Sequence, residues 1–397
     1  MRILWITNIP SPYRVDFFNE LGKSCDLTVV FEKKASDERD STWKNYRFDN
    51  FDGIILAGKS VRTDAAICPD IIKVIQSEKY DQIVLTNIAS PTGILAGLYM
   101  RLRRIPYWIE GDGALVKQTT RIQSRIKGIA KKVLMKGAKG YFSTGKSHDE
   151  YYLLYGASRD KLYRYSFSSI SRATYECAML LTDEESADNE ISFQGLTDIE
   201  KRQIIRGLAK KRLGISNEKK VALFVGQMIH RKGIDVLLEC AEKMCAERKD
   251  VLFMLVGGTC PDELREKAKR IPESCISFVP FMSPDKLQYY YRAADVFCLP
   301  TREDIWGLVI NEAMTYSLPI VTTDRCGAGI ELIESGENGY LVPVDDVLNT
   351  KISIENALIN KEKMGLRSRA IIRPYTIEDM AKQHIDVFRG ILDDARA

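Results

Sequence analysis

The chain has 397 residues, 45% of them hydrophobic and 28% charged, with 58 Lys and Arg against 54 Asp and Glu for a net charge of +4. That length suits two domains, each burying its own core, and so slight a positive charge without an aromatic–basic motif argues against nucleic acid as a partner. Nine cysteines occur with no C-x-x-C pair, and His148, His230 and His384 are the only histidines, so no metal cluster is expected; the odd cysteine count and the lack of a recognisable signal peptide imply a reducing cytosol.

In chain order, 2–7 reads as a buried strand, 15–21 as a helix and 26–31 as the next strand, a βαβ opening of a parallel sheet. Between the first strand and helix lies Asn8-Ile-Pro-Ser-Pro-Tyr13-Arg14, where two prolines stiffen the turn and remove backbone donors. The uncharged window 82–100 is long enough to consider as a membrane span, but Asn87, Ser90, Pro91 and Thr92 interrupt it. A strand at 83–85, a loop and a helix from Thr92 fit better. Next comes Ile105-Pro-Tyr-Trp-Ile-Glu110-Gly-Asp112-Gly, whose Gly-Asp-Gly is a common turn sequence and also carries two acids.

From Lys117 to Lys139 the chain places Lys117, Arg121, Arg125, Lys127, Lys131, Lys132, Lys136 and Lys139 with no acid among them. Ile122, Ile126, Ile129 and Val133 recur at the spacing of one helical face. Two readings stay open for this basic amphipathic helix: it lies on an anionic membrane surface, where each cation contributes about 1 kcal/mol, or it packs its apolar face into the core. Residues 168–217 are polar, with an acidic run at 182–190 and a basic helical stretch at 198–213; this segment reads as a connection between domains with a solvated insert. After residue 215 strands return at 221–225, 251–256, 276–279, 296–299 and 319–322, and a last helix is expected at 377–392, after Pro374. Alternating strands and helices imply two doubly wound sheets of α/β class, which bind ligands at the carboxyl ends of their strands.

Two blocks in the second half carry chemistry. Val221-Ala-Leu-Phe-Val-Gly226-Gln227-Met-Ile-His230-Arg231-Lys232-Gly233 is a strand and turn that set two cations at the start of a helix. Pro300-Thr-Arg-Glu303-Asp304-Ile305-Trp306-Gly307-Leu308-Val-Ile-Asn-Glu312 puts one acid in a loop and another one turn inside a helix. A helix start near Gly307 offers free N–H groups and a positive dipole end to a diphosphate, while carboxylates accept from sugar hydroxyls. Anion donors beside hydroxyl acceptors suit a nucleotide-diphosphate sugar.

The string REDIWGLVINEAM resembles the E-x7-E signature of retaining GT-B glycosyltransferases of family 4, with Asp304 in place of the first Glu and Glu303 as its alternative. The first block is similar to the family's strand ending in Gly-Arg and followed by Lys-Gly, with Gln227 where the first cation usually stands. The resemblance implies two Rossmann-like domains facing across a cleft, with a C-terminal helix crossing back to the first. Their bounds would be 1–170 plus 375–397 for the acceptor side, 171–214 for the linker and 215–374 for the nucleotide-sugar side. It assigns Lys232 and Arg231 to the leaving diphosphate, Glu312 to the ribose and Asp304 or Glu303 to the sugar, with Gly226, Gln227, Ile305, Trp306, Gly307 and Leu308 around the donor. On the acceptor side, Tyr13 or Arg14 stands in for a glycine-rich loop, and Glu110 or Asp112 occupies the place of a frequent histidine.

The implied activity is transfer of a hexose or N-acetylhexosamine, with retention, from a UDP-sugar to a hydroxyl of a glycan or lipid-linked acceptor in surface polysaccharide assembly. It needs no cofactor and no divalent metal, and it would run in the cytoplasm or peripherally on the inner face of the plasma membrane. A sugar-nucleotide epimerase of the same architecture and a nucleotide-binding non-catalytic partner subunit are the alternatives. The absence of G-x-G-x-x-G after the first strand speaks against a dehydrogenase.

Overall fold

The computed structural model describes residues 1–34, 47–115, 122–182, 185 and 191–390. Lys117 and Arg121 of the basic stretch, and most of the acidic run at 182–190, lie outside the described residues. The chain divides into two compact units, 1–169 with 375–397, and 170–374.

In the first unit the elements are β1 (Arg2–Thr7), α1 (Pro12–Gly22), β2 (Asp26–Phe31), β3 (Asp52–Ile55), β4 (Lys59–Arg62), β5 (Ala65–Ile67), α2 (Ile71–Ser77), β6 (Gln82–Leu85), α3 (Pro91–Leu102), β7 (Trp108–Glu110), α4 (Ile122–Gly137), β8 (Gly140–Ser143), α5 (Lys146–Leu154) and β9 (Leu162–Arg164). Seven strands form one parallel sheet in the order β3-β2-β1-β6-β7-β8-β9, and β4 with β5 makes a separate antiparallel hairpin. Nearly unbroken apolar strands suit a sheet covered on both faces: Ile3, Leu4, Trp5 and Ile6 are all at most 1% exposed.

The second unit runs through α6 (Arg172–Cys177), α7 (Asp198–Arg212), β10 (Lys220–Val225), α8 (Ile234–Glu247), β11 (Val251–Val256), α9 (Asp262–Ala268), β12 (Ile276–Val279), α10 (Pro284–Ala293), β13 (Val296–Leu299), α11 (Leu308–Thr315), β14 (Ile320–Thr323), α12 (Gly327–Leu332), β15 (Gly339–Val342), α13 (Val347–Ile359) and α14 (Lys361–Ile372). Its parallel sheet has the order β12-β11-β10-β13-β14-β15. Strand order therefore reverses between β1 and β6 in one unit and between β10 and β13 in the other, the places where open α/β sheets bind ligands.

Helix α15 (Ile377–Phe388) returns to the first unit, packing on α1. Thr376 caps its start by accepting from the Asp379 amide at 3.1 Å. Its His384 is fully buried among Trp5, Phe17, Phe142 and Tyr165, with ring centroids 4.2–5.5 Å apart. Burial lowers that imidazole to about 3, so it is a neutral core group.

One expectation needs correction. Within the stretch read as a solvated linker, residues 198–212 form α7, which is opened by a capping box of Thr197 and Glu200 and belongs to the second unit. Arg202, Arg206 and Lys210 all face inward. Arg202 donates to the carbonyls of Arg292 at 2.6 Å and Ala294 at 2.8 Å. Arg206 and Lys210 lie 3.1 and 2.9 Å from the carboxylate of Asp295, which is fully buried and also pairs with Lys361. These cations hold the Asp295 carboxyl at about 2 against the upward push of its own burial.

For α4, with its two open readings, the described part of the apolar stripe faces outward. The core takes Leu134 and Met135, both fully buried, whereas Ile129 is 63% and Val133 36% exposed. The side chains of Ile122 and Ile126 lie outside the described residues.

Candidate active site

The loops that follow β10 and β13 meet at the reversal point of the second sheet. After β10, Gly226 (φ 147°) leads into a 3₁₀ turn at His230–Lys232 and then Gly233 at φ 70°. A side chain at 233 is impossible as the loops stand: a Cβ there would lie 1.9 Å from the carbonyl oxygen of Pro300. That close approach lets the second loop grip the first. The amide of Arg302 and the hydroxyl of Thr301 donate to the Arg231 carbonyl at 2.8 and 2.9 Å. The Arg302 guanidinium adds bonds to the His230 carbonyl at 2.6 Å and to Asp235 at 2.9 and 2.7 Å, and pairs with Asp345 at 2.7 Å.

The two cations assigned to the leaving group sit in this turn with different partners. Arg231 donates to the Glu303 carbonyl at 2.7 Å from an exposed position. Lys232 forms an ion pair with Asp304, the two side chains being 13% and 15% exposed. Sequence reading gave phosphate to one and sugar to the other; the fold places them in contact across 72 positions of chain. Asp304 is itself fixed by its backbone, whose amide donates to the Arg325 carbonyl at 2.9 Å while its carbonyl accepts from Gly327 at 3.1 Å.

Gly307 (φ 96°) opens α11 with no side-chain cap; its carbonyl accepts from the Ile310 amide at 2.9 Å. Ile305 is 50% exposed beside it. Trp306 is different: its indole is 4% exposed and donates to Asn311 at 2.9 Å, so that side chain braces the loop from within instead of presenting a surface to a donor. Glu312, one turn into α11, is half-buried and accepts from the Tyr291 hydroxyl at 2.7 Å. Sequence reasoning missed Arg302 and Tyr291. Neither had a signal, because each acts on a partner far along the chain.

The four acceptor-side candidates of the first unit form one network. Arg14, 3% exposed, pairs with the 2%-exposed Glu110 and lies 2.8 Å from Asp112. Tyr13 donates to Asp112 at 2.6 Å, and Tyr165 donates to Glu110 at 2.6 Å. These residues arrive from the start of α1 and from the loops after β7 and β9, which converge at the carboxyl edge of the sheet. Glu110 is enclosed, whereas the Asp112 side chain is 40% exposed. The Gly-Asp-Gly stretch is thus more than a turn. Nearby His148 is also buried, its pKa lowered by burial to about 3.

Among the described residues no group of three His, Cys, Asp or Glu is placed to hold a metal ion, and no helix is long and apolar enough to cross a membrane.

Residues 219–360, which hold both loops and every donor-side candidate, match the family model described as Glycosyl transferases group 1. The matched residues lie within the second unit. An uncharacterized glycosyltransferase of Haemophilus influenzae is 30% identical over 181 residues, 44% of this chain and 49% of that protein. A D-inositol 3-phosphate glycosyltransferase of Rhodococcus opacus is 32% identical over 146 residues, 34% of this chain and 32% of the relative. The chain thus matches half or less of these relatives' length.

Solved structures extend the likeness of fold to nearly the whole chain. HepE of Anabaena in complex with UDP aligns with a TM-score of 0.74 at 15% identity, covering 98% of this chain and all of that one. WaaG, a glycosyltransferase involved in lipopolysaccharide biosynthesis, aligns with 0.65 at 14% identity and the same coverage. Two parallel Rossmann-like sheets of this kind constitute the GT-B fold.

Proposed function

We propose that the chain transfers a hexose or N-acetylhexosamine from a UDP-sugar to a hydroxyl of a glycan or lipid-linked acceptor, with retention at the anomeric carbon, in surface polysaccharide assembly. The observation that carries this reading is the meeting, at the β10/β13 reversal within the residues that match the group 1 model, of Lys232 with Asp304 beside Gly307 at the start of α11, with Arg231 on the Glu303 carbonyl. In the reaction the bond between the anomeric carbon and the diphosphate oxygen breaks, the electron pair leaves with UDP, and the acceptor oxygen bonds to the same carbon. The acceptor's proton passes to an oxygen of the departing diphosphate. Lys232 and Arg231 stabilise the charge that grows there, the kind of electrostatic contribution that usually dominates. Because Lys232 already rests against Asp304, the site is close to neutral before the donor arrives. With the donor bound, the ammonium lies between carboxylate and phosphate, and Asp304 orients the sugar by accepting a hydrogen bond from one of its hydroxyls.

No cofactor or divalent ion enters this scheme, since protein cations and a helix start take the charge; activity that vanished in excess chelator would refute that part. The test of the site is Lys232→Ala. Turnover should fall about a hundredfold, some 2.7 kcal/mol of barrier, while UDP affinity falls less, because the phosphate charge grows toward the transition state. An unaltered rate would remove Lys232 from the reaction.

The support for UDP is the nucleotide named with HepE; for polysaccharide assembly it is the role named for WaaG. We place the enzyme in the cytoplasm, peripheral to the inner face of the plasma membrane, with a lipid-linked acceptor. Helices α3 and α4 pack together and turn Leu98, Leu102, Ile129 and Val133 outward, Leu102 with 81% of its surface exposed, beside exposed Arg101, Arg103, Arg104, Lys132 and Lys136. Apolar groups rimmed by cations suit anionic lipid. Sedimentation with phosphatidylglycerol vesicles, and less with phosphatidylcholine, is expected; a double substitution of Leu102 and Ile129 by Glu that left binding intact would discard this face.

A further inference from the structure

Glu312 is held from behind by a side chain that no motif includes. Tyr291 lies near the end of α10, is 2% exposed and donates its hydroxyl to Glu312 Oε2 at 2.7 Å. Its ring stacks on Tyr316, the planes 3° apart and the centroids 5.3 Å apart, and Phe297 lies on its other flank at 6.1 Å. The backbone that carries it is fixed as well: the buried Arg202 guanidinium bonds the carbonyls of Arg292, Ala294 and Tyr291 itself at 2.6, 2.8 and 3.4 Å. The phenol therefore has one position, set by a different helix from the one that bears the acid.

A glutamate side chain has three rotatable torsions before its carboxylate, and ordering them on ligand binding costs entropy that weakens affinity. A fixed donor that holds one carboxylate oxygen removes much of that cost in advance, and a hydrogen bond to an ionised acceptor is among the stronger kinds. Burial and the neighbouring acid raise the Tyr291 phenol well above its ordinary value, so it remains a proton donor throughout the working pH range. Each carboxylate oxygen has two lone pairs, so the bond to Tyr291 leaves acceptor capacity for hydroxyls.

We propose that Tyr291 is a positioning residue for nucleotide recognition: its hydroxyl sets the rotamer in which Glu312 meets the ribose hydroxyls of the donor. This rests on the reading of Glu312 as the ribose acceptor, and the two can fail separately.

Calorimetric titration of the full chain with UDP and with 2′-deoxy-UDP tests it on Tyr291→Phe, Glu312→Ala and the double variant. Phenylalanine keeps the ring stack, so its melting temperature should stay within a few degrees of the parent. Tyr291→Phe should weaken UDP about tenfold and shrink the preference for UDP over the deoxy analogue. A merely structural role would not move that preference. In the double variant the Tyr291 change should add nothing to the effect of Glu312→Ala, the signature of two groups acting as one. If Glu312→Ala binds UDP as the parent does, the ribose reading falls. If Glu312→Ala weakens UDP but Tyr291→Phe keeps the parent's affinity and preference, the positioning role falls and the ribose reading stands.

Discussion

The two sheets reverse strand order in the same manner, yet they place their charged clusters at opposite ends. In the second unit the structural ion cluster lies at the amino ends of the strands. Asp295 precedes β13, accepts from the Val221 amide at 2.8 Å and is ringed by Arg206, Lys210 and Lys361. Its carboxyl edge keeps Lys232, Asp304 and Glu312 partly open. In the first unit the buried cluster of Arg14 and Glu110 stands at the carboxyl edge itself, with Asp112 as its one exposed arm. A charged residue near a strand end is therefore not by that fact a ligand group. What separates the two cases is whether its partners lie within the core or across a loop junction.

The largest effect should come from the amino-end cluster. Asp295→Ala would leave three cations around a buried site with Glu362, on Arg206, as the remaining partner, costing roughly 3–5 kcal/mol, read by urea unfolding of the full chain. A loss below about 1 kcal/mol would mean that cluster is not structural, and the contrast would break. Next, Glu110→Gln should cost about 3 kcal/mol because Arg14 remains enclosed, while Asp112→Asn, whose side chain is 40% exposed, should cost less. Equal losses would make both acids structural and leave no acceptor-side carboxylate in the first unit.

The smallest effect concerns pH, and it sharpens the account of the first unit. Glu32, 2% exposed, accepts from Ser90 at 2.5 Å and from the Ala66 amide at 3.2 Å, and burial raises its carboxyl to about 7. The unfolded chain releases this proton near 4.5 and the folded one near 7, so between those values the folded state holds more protons and loses stability as pH rises. His148 and His384, lowered to about 3, act the other way, losing stability as pH falls below the 6.5 of an unfolded imidazole. Glu32→Gln removes the opposing slope, so its stability should climb more steeply from pH 5 to 7 than the parent's, by roughly 2 kcal/mol over that interval. Parallel curves would mean that Glu32 titrates normally.

Much of this was legible before any coordinates. The strands read at 2–7, 26–31, 251–256, 276–279 and 296–299 have those limits, and the others shift by one residue, because buried parallel strands are continuous apolar runs with little room for slippage. The E-x7-E-like segment spans the loop after β13 and the first turns of α11. What was hidden follows one pattern. Arg202, Arg206 and Lys210 recur at the spacing of a buried helical face, but cations at that period read as solvated, and only Asp295 and the carbonyls after α10 make them core. The Lys232–Asp304 pair joins loops from two strands, a register that periodicity does not carry. On α4, the isoleucine and valine stripe had the right spacing for a core, yet Leu134 and Met135 took the interior.

The returning helix α15 has a consequence for biosynthesis. Residues 170–374 are contiguous and form one unit, so that unit can close as soon as it leaves the ribosome. The other cannot: Trp5, Phe17 and Phe142 wait for His384 and Phe388, which are synthesised some 240 residues or more after the last of them. The part of the molecule made first is thus the part completed last, and a chain ending at 374 should display an unsealed aromatic surface to hydrophobic dyes.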